Sequence, residues 1–172
     1  MQVEAQVKRR RKRELPEAFI ENRRLSVKIR EYKKQIKEGD FNLKIEFETE
    51  SSQIKLSELK TPLDESMFVI TDYEIVWLDV DKLVSRSDNK PHLIFPKDRL
   101  WAIRSPLNMA RLIEFIEAGN KLFPAIIEPL GKNDDIVFID GNHRIALFRF
   151  LNLSTAPFLV KKKRIHLVEE LK

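Results

Sequence analysis

The chain has 172 residues, 42% of them hydrophobic, and a formal net charge of +5. That length suffices for one domain with a proper core plus an extension. The absence of cysteine excludes a disulfide scaffold, thiolate zinc sites and cysteine-nucleophile mechanisms, and no apolar run approaches the length of a membrane span.

The charge is unevenly placed. Residues 8–37 hold thirteen Lys or Arg against four Glu, a net of +9, which leaves the rest of the chain at −4. Lys8, Arg9, Arg10, Arg11, Lys12 and Arg13 form an unbroken run, and Arg23, Arg24, Lys28, Arg30, Lys33, Lys34 and Lys37 continue it. A basic arm on a mildly acidic body suggests a polyanionic partner, DNA first, with Lys8–Arg13, Arg23 and Arg24 as candidate contacts. A solvated tail without a partner is the plain alternative. Acidic lipid is a weaker one, because the run lacks Trp or Phe anchors. The first residues also lack the apolar stretch of a secretory signal, so a cytoplasmic location is expected.

Residues 1–14 are expected to be a disordered basic arm. Pro16 suits the first turn of a helix, and Leu25, Ile29, Tyr32 and Ile36 recur at helical spacing up to Gly39, giving a basic helix over 15–39. Phe41, Leu43, Ile45 and Phe47 alternate with polar residues, the pattern of a half-buried strand. Short strands are expected at 54–59 and 67–70, and another at 74–78 after a turn at Thr71-Asp72. Asp79 or Asp81 is placed to cap a short helical turn through Leu83. A polar loop from Ser85 to Pro96 follows, with helices over 98–104 and 107–118 broken at Pro106 and ended at Gly119. Strands at 125–128 and 136–139 flank a hairpin turn at 131–135. A helix after Gly141, a strand at 156–160 and a short helical tail complete an α+β domain over 40–172. Trp77 and Trp101 read as core residues.

The residues with most chemistry are Asp140, Gly141, Asn142, His143 and Arg144, between the apolar run Ile136–Ile139 and the helix Ile145–Leu151. A strand that turns through glycine into a helix leaves unpaired backbone N–H groups and a positive dipole end at the turn, which suits phosphate. Gly141 permits a tight turn. Asn142 is placed to cap the helix and bring its amide to the bound nucleotide, His143 to donate to phosphate or move a proton, and Arg144 to fork onto phosphate oxygens. Asp140 is a candidate Mg²⁺ ligand, and Glu128, at the end of the neighbouring strand, is a candidate to share its cleft. On spacing alone the same five residues also read as an ordinary Asp-Gly turn with solvated side chains. Arg104, before Pro106, is within reach of the site from the helical layer. His92 and His166 stand far from any acidic cluster, and Asp134-Asp135 reads as a solvated hairpin tip.

From Trp77 to Val160, about half of the chain, the sequence resembles the ParB/sulfiredoxin superfamily, with its ParB-like nuclease domain. The resemblance is carried by Trp77-Leu78-Asp79-Val80-Asp81-Lys82-Leu83 and by a helix ending at Ala118-Gly119. It continues through Phe123-Pro124-Ala125-Ile126-Ile127, Phe138-Ile139-Asp140-Gly141-Asn142-His143-Arg144, and Leu153 to Val160. It implies a single ParB/sulfiredoxin-like domain with a mixed sheet, and nucleotide-phosphate binding by Gly141, His143 and Arg144, with ATP or another nucleoside triphosphate as cofactor. Asn142 departs from the motif. Sulfiredoxins need cysteine there, which excludes sulfinic-acid reduction, and ParB proteins carry glutamate, so their manner of CTP hydrolysis is not carried over. The small, basic, single-domain branch of the superfamily implies an ATPase and Mg-dependent DNase, with Asp140, His143 and Arg144 catalytic, acting on transferring plasmid DNA in fertility inhibition. A non-catalytic nucleotide-gated DNA-binding switch and a small-molecule, serine-type kinase are the alternatives.

Overall fold

The computed structural model describes residues 16–50, 70–87, 99–131 and 135–172. The helical spacing of Leu25, Ile29, Tyr32 and Ile36 produces α1 (Glu17–Glu38), whose chain reverses at Gly39 in the left-handed region, φ 80°. α1 does not stand apart from the domain. Leu25 and Tyr32 are almost wholly buried in the same cluster as the sheet residues Leu78, Phe138 and Phe158. The Tyr32 hydroxyl donates to Glu117 Oε2 at 2.6 Å. Its ring stacks on Trp101, with centroids 6.1 Å apart and planes at 10°.

The segment after α1 keeps the expected alternation but forms no strand ladder. Phe41, Leu43, Ile45 and Phe47 pack against the core, while the backbone makes a single bridge, Phe47 to Leu122. Alternation assigns the inward face of an extended segment; a ladder also needs a free sheet edge, and here only one bridging residue is met. The expected strand at 54–59 and residues 67–69 of that expected at 67–70 lie outside the described residues, while Ile70 belongs to a 3-10 turn and not to a strand. A 3-10 turn at Ile70–Asp72 leads into β1 (Tyr73–Asp79). Asp79 then caps α2 (Val80–Ser85), its Oδ1 accepting from Lys82 N at 2.8 Å. Most of the expected Ser85–Pro96 loop is likewise outside the described residues. The expected helix at 98–104 is only a 3-10 turn, Leu100–Ala102, and α3 runs Pro106–Glu117.

The sheet is mixed and four-stranded, in the order β1-β4-β2-β3, with β2 at Ala125–Pro129, β3 at Ile136–Asp140 and β4 at Thr155–Lys161. β4 pairs antiparallel with β1, Val76 opposite Phe158, and parallel with β2, Ala125 opposite Phe158. This central position explains its unbroken buried run Ala156–Val160. β2 and β3 pair antiparallel, with a register shift between Ile126 and Ile127; residues 132–134 of the expected turn lie outside the described residues. α4 (Asn142–Phe150) follows β3 directly. The main core lies between the sheet and the helices, with Met109, Ile113, Ile145 and Phe148 facing Ile127, Phe138 and Phe158. A smaller cluster around Ile126 and Leu159 covers the other face. Trp77 is not a core residue: it is 47% exposed on the edge strand, with Phe47 edge-on to its ring. No helix among the described residues is long and apolar enough to cross a membrane.

Candidate functional site

The strand β3 ends at Asp140, the chain turns through Gly141 at φ 102°, and α4 begins at Asn142. Glycine is required here for two reasons. The left-handed conformation disfavours a side chain, and a Cβ at 141 would lie 2.5 Å from Ala125 Cβ. The close approach to β2 thus sets the start of α4 against the sheet. The first helical hydrogen bond is Ile145 N to Gly141 O at 2.9 Å, so the N–H groups of Asn142, His143 and Arg144 have no intrahelical acceptor. Asn142 does not cap the helix as its residue type suggested. Gly141 holds the cap position without a side-chain bond, and Asn142 is the exposed first helical residue.

Arg144 points inward. Its Nη1 donates to the carbonyls of Phe123 at 2.5 Å and Pro124 at 3.0 Å, and its Nη2 donates to Asp140 Oδ2. The side chain is only 12% exposed, that of Asp140 23%. Burial holds the Arg144 pKa below the ordinary arginine range, with Asp140 acting in the opposite direction. The pair therefore ties the end of β3 and the first turn of α4 to the segment that enters β2. Three of the five guanidinium N–H groups are used in this tie.

His143 points elsewhere. Its Nε2 lies 3.2 Å from the carbonyl oxygen of Ser105. A carbonyl only accepts, so Nε2 carries the proton and Nδ1 carries the lone pair. Burial lowers the His143 pKa, opposed by the Ser105 bond and Asp140. The ring is therefore neutral at pH 7. Ser105 precedes Pro106, the first residue of α3, and has no side-chain cap bond. The imidazole thus joins the uncapped N-termini of α3 and α4, and exposed Arg104 flanks the junction.

The structure does not bring Glu128 to this place. It stands opposite Val137, whereas Asp140 stands opposite Ile126. Glu128 is held instead by Lys161 at 3.4 Å and Arg164 at 3.3 Å. Among the described residues no group of three or more His, Asp or Glu is arranged to hold a metal ion. With Asp140 paired to Arg144 and Glu128 paired elsewhere, the donor set does not fit an Mg²⁺ held by protein side chains. His166 is exposed in the C-terminal 3-10 turn, Lys162–Leu167, and His92 lies outside the described residues. Lys8–Arg13 also fall outside them. Arg23 is exposed on α1, whereas Arg24 forks onto Glu114 at 2.5 and 2.7 Å and onto Glu21.

Sequence reading missed Ser105 and the carbonyls of Phe123 and Pro124. Pro106, as a helix-starting proline, was the available signal for Ser105; backbone acceptors leave no signal in residue types.

No protein-family profile matches the chain, and no curated protein does. Among solved structures it is similar to the crystal structure of Oncogenic Suppression Activity Protein, described as a plasmid fertility inhibition factor and solved as a gold(I) cyanide derivative. The TM-score is 0.43 and the identity 13%, over 83% of this chain and 82% of that one.

Proposed function

We propose that the protein binds the phosphates of a nucleoside triphosphate, ATP first, at the joined starts of α3 and α4 and uses the nucleotide in cleaving DNA during plasmid transfer. The observation that carries the reading is the His143–Ser105 bond. It sets two uncapped helix starts side by side, each a positive dipole end. At α4 the N–H groups of Asn142, His143 and Arg144 lack an intrahelical acceptor, whereas at α3, which begins with Pro106, only that of Leu107 does, because Asn108 and Met109 donate to the Ser105 carbonyl. The resemblance of Phe138–Arg144 to the ParB/sulfiredoxin phosphate motif supports the nucleotide, and the basic N-terminal region supports DNA. In this reading the N–H groups of Asn142 and His143 bind phosphate oxygens, and Arg104 adds charge at the rim. Neutral His143, with its Nδ1 lone pair, takes the proton from an attacking water. Arg144 and Asp140 shape the loop rather than touch the phosphate.

The test is to measure ATP and CTP binding by calorimetry, and nucleotide hydrolysis and DNA cleavage with purified protein, for the natural chain and His143→Ala. The reading expects binding of about micromolar to millimolar strength and a loss of hydrolysis of about a hundredfold or more in the variant. Absence of nucleotide binding by the natural chain removes the site. The second reading, a nucleotide-gated DNA-binding switch, is favoured by one observation: Asp140 and Arg144, the two charged groups nearest the loop, bind each other. Nucleotide binding that alters DNA affinity with no hydrolysis in either protein would select it.

A further inference from the structure

We propose that one flank of α1 is the surface along which the protein holds nucleic acid, with Arg23, Arg30, Lys33 and Lys37 as its phosphate contacts. This rests on the DNA reading above and specifies where the polyanion lies.

α1 carries seven cations and four glutamates, and the fold divides them by face. Arg24 is bound to Glu21 and Glu114. Lys28 pairs with Glu31 at 3.0 Å and Lys34 with Glu38 at 3.9 Å. Among the described residues, Arg23, Arg30, Lys33 and Lys37 have no carboxylate partner, and all four are exposed. At 3.6 residues per turn these four fall within an arc of about 80°. Glu17, Glu21, Glu31 and Glu38 all lie outside that arc. The helix therefore presents a ridge of cations with no acid on it, next to the buried stripe of Leu25 and Tyr32.

Arg23, Arg30 and Lys37 recur every seventh residue, about 10 Å apart along the axis, so the ridge is about 21 Å long. The same length of duplex carries roughly a dozen phosphates, whose condensed counterions are released on contact. Phe19, 53% exposed, lies on the same arc and offers a ring to sugar or base. In the sequence the basic run Lys8–Arg13 precedes α1. A lipid surface fits less well. The exposed apolar residues Ile20 and Val27 lie on the side of Glu31 and Glu38, so burying them would press two acids onto an anionic membrane.

The experiment compares two full-length variants with equal loss of charge. R23Q/R30Q/K33Q/K37Q removes the ridge, and K28Q/K34Q/K44Q/K172Q removes four cations that have carboxylate partners. Glutamine retains helix propensity, and thermal melts confirm folding. Binding of labelled duplex DNA is followed by anisotropy across a salt series. The ridge variant is expected to bind at least about tenfold more weakly at about 0.1 M salt, with a log–log slope shallower by roughly 0.9 per lost contact. The control is expected to change little, and nucleotide binding to be unchanged in both. Single variants R30Q and K37Q, each expected to lower the slope by about one contact, decide the matter if the quadruple variant does not fold. Equal losses in ridge variant and control overturn the proposal, as does unchanged binding by the ridge variant. So does a ridge variant that keeps DNA but loses vesicles of anionic phospholipid. A natural chain that binds no DNA overturns the DNA reading as well; the other failures leave that reading intact.

Discussion

Gly141 and Arg144 are adjacent to the proposed chemistry yet serve the geometry of the loop. Gly141→Ala must place a methyl group against Ala125 in a left-handed conformation, so it is expected to lower stability by about 2–4 kcal/mol, measured by urea denaturation. Arg144→Ala leaves Asp140 and two carbonyls without their donor and is expected to cost about 3 kcal/mol. A variant that stays as stable as the natural chain while losing only turnover would return Arg144 to the phosphate. His143 sets a pH dependence. Its folded pKa is lowered, so the unfolded chain binds the proton first as pH falls below the ordinary value near 6.5. The contribution is complete above that value and is lost as pH falls through the lowered folded one. His143→Gln, which can still donate to Ser105, is expected to lose less stability than the natural chain between about pH 7.5 and 5.5. The loop was legible as a strand-glycine-helix unit because the apolar run and Gly141 are local signals. The inward turn of Arg144 was not, since two of its acceptors are backbone atoms 20 and 21 residues away.

At the scale of elements, α1 shows which part of a helix a sequence reveals. The stripe Leu25–Ile29–Tyr32–Ile36 was readable from periodicity, and so was the stop at Gly39. The place where the stripe docks was not, because Glu114 and Glu117 belong to another helix and carry no mark of their role. Leu25, completely buried in the main core, makes the docking testable. Leu25→Ala is expected to destabilise the whole domain by about 2–5 kcal/mol in one cooperative transition. A separate early transition would show instead that α1 folds independently of the body. The segment 41–48 teaches a complementary lesson. Its alternation correctly gave the faces of Phe41, Leu43, Ile45 and Phe47, whereas strand pairing depends on an edge that no local pattern describes.

At the scale of the molecule, the basic N-terminal track and the loop at Asn142 are expected to act separately when their charges are removed. Deleting residues 1–14 takes away six cations, and should weaken DNA binding with a shallower salt slope, by roughly 0.9 per lost contact for duplex. Nucleotide hydrolysis without DNA should survive, because the loop lies outside the deletion; identical salt slopes would remove Lys8–Arg13 from the interface. α3 nevertheless touches both regions. Its start lies under His143, and its Glu114 and Glu117 hold Arg24 and Tyr32 of α1. A ligand that tilts this one helix works on both ends of it as on a lever. Linkage then imposes a symmetry on the two partners: whatever factor nucleotide imposes on DNA affinity, DNA must impose on nucleotide affinity. Two titrations, each in the presence and absence of the other ligand, would read that factor, and a factor of one in both would mean that the lever does not move.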